Sequence, residues 1–181
     1  MKTRLIQLLI AMILTLGVAS AGPAEGLKWK GTYNGTVLDT SFDVFDNDGF
    51  FTDVVRGSGK GTFGQSDTAI VTEFRPVGVT GECESEDDLR LLVIYSKAVV
   101  TYSQGEQLYL ESENGYLCLD LGTGDYEGMA SGTFDGGTGR FEDAYGTWET
   151  VFNGRNLTFP EGLPFGFGSI NGVSTGMLYL N

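Results

Sequence analysis

Histidine is missing from this chain altogether, and that absence removes a large share of enzyme chemistry. Without it there is no Ser-His-Asp or Cys-His nucleophile pair, no histidine-bearing zinc site and no imidazole proton shuttle. Cysteine is nearly as scarce, with Cys83 and Cys118 the whole supply. Basic residues are few, 11 against 24 acidic, so the formal net charge is −13. A surface of that sign repels nucleic acid and anionic lipid head groups and favours solubility, so no nucleic-acid partner is expected. Catalysis, if any, is left to carboxylates, tyrosines and lysines.

Long apolar runs are also lacking, except at the start. Met1-Lys2-Thr3-Arg4 is a basic head, residues 5–18 are apolar, and Ala19-Ser20-Ala21 supplies the small residues around a signal-peptidase cut. The run falls short of the ~20 residues that span a bilayer, and Gly22-Pro23 follows at once. We expect a signal peptide over 1–21, a mature domain over 22–181 exported to the periplasm or the cell exterior, and no stable membrane span. No cysteine follows the run to carry a lipid. In an oxidising compartment Cys83 and Cys118 are expected to pair. Such a bridge closes a loop of about 35 residues and stabilises by roughly 3–4 kcal/mol if unstrained.

What the mature chain does have is a period of two. In "GEQLYLES", Leu108 and Leu110 share a face opposite Gln107, Tyr109 and Glu111; in "GYLCLDLG", Leu117, Leu119 and Leu121 alternate with Tyr116, Cys118 and Asp120. Cys118 then points away from the leucines, so its bridge pins the acidic loop around Cys83 to the outside of a sheet. Half-buried strands are also read at 28–37, 41–45, 68–74, 89–102 (bent, or two segments), 129–134, 147–152 and 176–180. No capped amphipathic helix stands out, and 28 glycines punctuate the pattern with turns. The fold class is therefore all-β, and about eight strands in one antiparallel barrel are preferred over a sandwich because closure removes the edges. Gly31, Gly61 and Gly132 suit bends at barrel corners. An outer-membrane barrel is disfavoured, since the strands read short and show no consistent apolar exterior.

The glycine-rich stretch "SGTFDGGTGRFEDAYGTWE" (131–149) invites a nucleotide-binding reading and fails it. The lysine of a phosphate loop is missing after Gly137, and Glu142 stands where the third glycine of a dinucleotide motif belongs. It suits a hairpin turn, with positive φ supplied by Gly136, Gly137 or Gly139. No cofactor is implied. The same stretch resembles the "GGTGRF…A.G" hairpin signature of the allene oxide cyclase and dirigent type of eight-stranded, calycin-like barrel, which has secreted bacterial relatives. "GSGKGTFG" (57–64) and "AVVTYSQGEQLYLESENG" (98–115) look like the strand segments that precede the hairpin in such barrels. The resemblance covers about a third of the mature chain and implies a barrel with a hydrophobic cavity. It also allows a homo-oligomer, because related barrels often associate. It carries over no catalytic residue.

"DVFDNDGFFTD" holds a second decoy. With Gly49 in sixth place, Val44 and Val55 fall where a calcium loop needs an acid and a bidentate glutamate. A hairpin turn at 47–49 is the reading, with no metal site beyond weak calcium binding by Asp43, Asp46, Asp48 and Asp53. Sequons stand at Asn34 and Asn156.

Three functions follow. The favoured one is binding of a small apolar or aromatic ligand by a lining drawn from Trp29, Tyr33, Phe42, Phe134 and Trp148, residues that also suit a plain core. The second is isomerase- or cyclase-like catalysis in that cavity, with Glu73 as a candidate acid oriented by Arg75. In the third, the barrel is filled and acts through its acidic loops and "FPEGLPFGFGS" (159–169), expected to be irregular and to plug or lid one end.

Overall fold

The computed structural model describes residues 25–40, 50–79, 83, 85, 87–158, 161 and 165–180. The expected signal peptide, the strand at 41–45 with Phe42, the turn at 47–49 and Asp43, Asp46 and Asp48 lie outside the described residues.

Eight strands run in chain order: β1 (Leu27–Thr40), β2 (Phe51–Gly61), β3 (Gly64–Val79), β4 (Leu89–Tyr102), β5 (Gln107–Leu119), β6 (Tyr126–Gly137), β7 (Tyr145–Thr158) and β8 (Phe165–Tyr179). Each pairs antiparallel with its sequence neighbour, and β8 closes on β1, so the expected eight-stranded barrel is what forms. Closure leaves no ladder edge open. One end, the tight-turn end, carries the connections at 62–63, 103–106 and 138–144; the other, the long-loop end, carries those at 41–50, 80–88, 120–125 and 159–164.

Inward positions alternate as the period of two requires. Leu108 and Leu110 face in at the start of β5, and Leu117 and Leu119 at its end, although their parity differs. A register shift between Glu111 and Asn114 against β6 absorbs the odd residue, with the Ser112 hydroxyl 2.6 Å from the Ser131 carbonyl. Leu121 lies past the strand and is 64% exposed, contrary to its place in the alternation. β4 is one strand, not two: Glu73 pairs with Tyr95 but Phe74 with Val93, which leaves Ile94 as a bulge. β2 was not among the expected strands. Its inward Gly57, Gly59 and Gly61 erase the hydrophobic signal, and a Cβ on Gly59 would stand 1.7 Å from the Thr32 carbonyl oxygen.

Two corrections concern the exterior. The strands are longer than expected, 11 to 16 residues, and long enough to span a bilayer. Their outward side chains mix exposed Lys30, Arg56, Asp67, Lys97, Glu127 and Glu149 with exposed apolar ones such as Met129, Val151 and Val173, while the buried apolar set faces in, unlike the continuous apolar band of a lipid-facing barrel. Among the described residues no helix is long and apolar enough to cross a membrane. The segment at 159–169 was expected to be irregular, yet from Phe165 it is part of β8, and Phe167 points outward, 46% exposed.

The core divides along the barrel axis. At the tight-turn end, Trp29, Tyr102, Leu108, Phe134, Trp148 and Leu178 pack around Phe141. At the long-loop end, Tyr33, Val55, Phe74, Leu91, Leu117 and Tyr126 form a second cluster. Outside that second end, Cys83 and Cys118 form the expected disulfide, with Cα atoms 5.8 Å apart, and tie residue 83 to the outer face of β5.

Candidate cavity at the barrel waist

The two clusters do not meet completely. Between them lies a cavity of about 90 Å3 with a mostly apolar lining. Its aromatic walls are held by their polar atoms. Trp29 Nε1 donates to the Tyr102 hydroxyl at 3.1 Å, Trp148 Nε1 donates to the Thr133 carbonyl at 2.9 Å, and the Tyr126 hydroxyl donates to the Ser169 carbonyl at 3.0 Å. Tethering each edge fixes where the ring faces lie.

Facing glycines make room for these rings. The ring of Tyr33 lies against Gly172, where a Cβ would come 2.2 Å from it, and the ring of Tyr126 lies against Gly154 in the same way. Tyr33 is buried, and burial pushes its phenol up to about 12, opposed by a hydrogen bond with Thr150. Burial likewise raises the Tyr102 phenol, opposed by its bond from Trp29. Both tyrosines are thus neutral across the physiological range and can hydrogen-bond without charge.

Polar groups enter the cavity on both walls. On β3 and β4, Thr72 and Ser96 are hydrogen-bonded at 2.9 Å. On β7 and β8, Ser174 donates to Thr150 at 3.0 Å. Asp53 lies beside Thr72 in register, which continues the row Asp53, Thr72, Ser96 across three adjacent strands. Among the described lining residues Asp53 carries the charged side chain and the others are neutral.

Of the residues expected to line a ligand site, Trp29, Tyr33 and Trp148 lie in the wall of the cavity. Phe134 stands behind them, edge-on to Trp29 with ring centroids 5.2 Å apart. Phe42 lies outside the described residues. Glu73 sits on the outer face of β3, between the inward Thr72 and Phe74, and the cavity lining does not include it. Tyr102, Tyr126, Phe152 and the hydroxyl pairs were not singled out from sequence. Extending the alternation from Trp148 would have found Thr150 and Phe152 on its face.

The glycine-rich hairpin behaves as its residues indicated, with positive φ at Gly136 (73°) and Gly139 (62°). It also does something unforeseen. A 3-10 turn at Gly139–Phe141 sends Phe141 into the barrel end, where it is 0% exposed. Phe141 thus plugs the tight-turn end, while 159–160 and 162–164 of the segment anticipated as a plug or lid lie outside the described residues.

Comparison of the chain with family models, with curated proteins and with solved structures finds no match, so the closed antiparallel eight-stranded barrel is the part of the allene oxide cyclase and dirigent resemblance that stands on evidence.

Proposed function

We propose that the barrel binds a small molecule with an aromatic or apolar body, about one ring in size. The observation that carries this reading is the waist cavity, lined by tethered aromatic side chains and supplied with a few polar groups. Its volume of about 90 Å3 is well below the roughly 300–1,000 Å3 of pockets for drug-sized ligands. A cavity of about 150 Å3 admits benzene, so a single ring fits here if half-buried Ile70 or Phe152 gives way slightly. The disulfide supports export to an oxidising compartment as the setting. The hairpin residues and the closed barrel support kinship with the allene oxide cyclase and dirigent architecture.

A second reading, isomerase- or cyclase-like catalysis, is favoured by Asp53, a carboxylate placed at an apolar cavity. It requires the same binding step. Native mass spectrometry of the protein purified gently from its own host tests both. A small molecule released on unfolding supports a binder or enzyme and identifies what to assay. A bare mass, or a bare homo-oligomer, favours a filled barrel that works through its surface.

A further inference from the structure

We propose that the outer face of the barrel binds a neutral glycan chain, at a site separate from the interior cavity. A groove of about 500 Å3 crosses the outside of β5, β6, β7, β8 and β1. Its two banks are rows set by strand register. On one bank Asn34, Asn171, Asn153 and Glu127 stand side by side on four successive strands. On the other, two residues further along each strand, Val173, Val151 and Met129 stand side by side and Tyr116 follows on β5. All three asparagines are exposed. So are the three aliphatic side chains, Val151 to 62%. The groove is therefore amphipathic across its width, with amides on one bank and an apolar row on the other.

A sugar chain has the same two-sided character. Each asparagine amide offers two donors and an acceptor, and a hydroxyl is at once donor and acceptor, so an edge of sugar hydroxyls matches the amide row. The C–H faces of the rings match the apolar row, whose contiguous exposure across three strands marks an interaction site. Neighbouring strands lie about 4.8 Å apart, so the four-strand polar row runs roughly 14 Å and calls for several sugar units rather than one. Glu127 is the charged side chain in the groove lining, in a chain of formal net charge −13, so a glycan bearing carboxylates or sulfates is repelled. Arg90 stands at one end, 5.2 Å from the centre of the Tyr116 ring, and leaves the asparagine row itself without a cation. A protein partner laid on this face would incur a penalty for every amide left unmatched, whereas hydroxyls rotate to suit.

A glycan array of neutral oligosaccharides (β-glucans, xylans, mannans and chitin oligomers) beside uronate-bearing and sulfated ones tests the class, at about 0.15 M salt. A neutral class is expected to bind and the anionic ones to stay unbound. The best neutral binder is then titrated into 15N-labelled protein, where the side-chain amide signals of Asn34, Asn153 and Asn171 should shift. Asn153→Ala/Asn171→Ala should weaken that binding about tenfold or more, as the loss of two hydrogen bonds allows. Val151→Asp, which sets a hydrated charge in the apolar row, should weaken it as well. Binding that leaves the asparagine signals in place, or that survives the double substitution, overturns the inference, as does a preference for anionic glycans. Absence of glycan binding also overturns it, and self-association abolished by Val151→Asp would then assign the face to a second copy of the chain. If the double variant does not fold, the asparagine signals of the unaltered protein decide. None of these outcomes bears on the interior cavity, whose occupancy is tested separately.

Discussion

The two ends of the barrel are built differently. At the tight-turn end Phe141, Leu108 and Leu178 are each 0% exposed, and Phe63, Tyr102 and Phe141 pack ring against ring with centroids 5.1 to 5.6 Å apart. Arg140 lies over Phe63 and Phe141 and is held from outside by Glu106, whose carboxyl that guanidinium keeps below its usual range. Among the described residues of the long-loop end no large apolar side chain is buried to that degree, and its reinforcement is covalent, through Cys83 and Cys118. One end is closed by packing and the other is braced by a cross-link. The comparison assigns stability mainly to the first end and leaves the second, with Asp53 and Tyr33, to shape the cavity.

Removing the plug should have the largest effect. Phe141→Ala deletes a fully buried ring from a close-packed site, where such truncations cost about 3–5 kcal/mol. Phe152→Ala, at the other cluster and half-buried, should cost clearly less. Urea unfolding of both variants measures the difference. Equal losses would mean that the two ends contribute alike and that the closed end has no special place.

Cutting the disulfide comes next. A double Cys83→Ala/Cys118→Ala variant should lose about 2–4 kcal/mol, by the loop-entropy argument for a separation of 35 residues. The loss should also be local. Hydrogen exchange is expected to quicken in β4 and β5 near Arg90 and Cys118, which are paired in register, and to stay slow around Leu108 and Phe141. Uniform quickening would show that the bridge stabilises the whole barrel rather than one end.

The same contrast explains what could be read from the sequence. Leu108, Leu110, Leu117 and Leu119 announced β5, and the partners Cys83 and Cys118 followed from compartment and scarcity. β2 stayed hidden because its inward positions at 57, 59 and 61 are glycines, suited to close approach to β1 rather than to hydrophobic burial. The plug stayed hidden because a lone phenylalanine in "GGTGRFED" has no periodic neighbours to mark it as core. Trp29, Tyr33 and Trp148 were visible as large aromatics on strands. Thr72, Ser96 and Thr150 were not, since an inward threonine in a strand looks like an outward one until the register is known. Asp53 was noticed only as part of a calcium-like stretch, and its direction comes from the pairing of β2 with β3.

Gly172→Ala should act at the cavity with a smaller cost. Its new methyl would stand 2.2 Å from the Tyr33 ring, so the ring must move, at about 1–3 kcal/mol. If that contact is the cause, the substitution should cost little in a Tyr33→Ala background, because neighbours in contact are not additive. A penalty unchanged in the double variant would place the strain in the backbone of β8 instead.

The smallest effect is confined to alkaline solution. Tyr33 has its phenol pushed up to about 12 in the folded barrel, against an unfolded value near 10.0. Below about pH 10 both states hold the proton and the group leaves stability unchanged. Above it the unfolded chain ionises first and is favoured, so stability falls as pH rises until the folded group also ionises near 12. Tyr33→Phe removes that part of the decline, although it also forfeits the bond with Thr150 and so starts from a slightly lower stability at neutral pH. Denaturant midpoints of the two proteins should therefore converge between pH 10 and 12. Parallel curves would mean that Tyr33 is in contact with water when folded, and the cavity at the barrel waist would then be a wet vestibule rather than a site shaped by a buried ring.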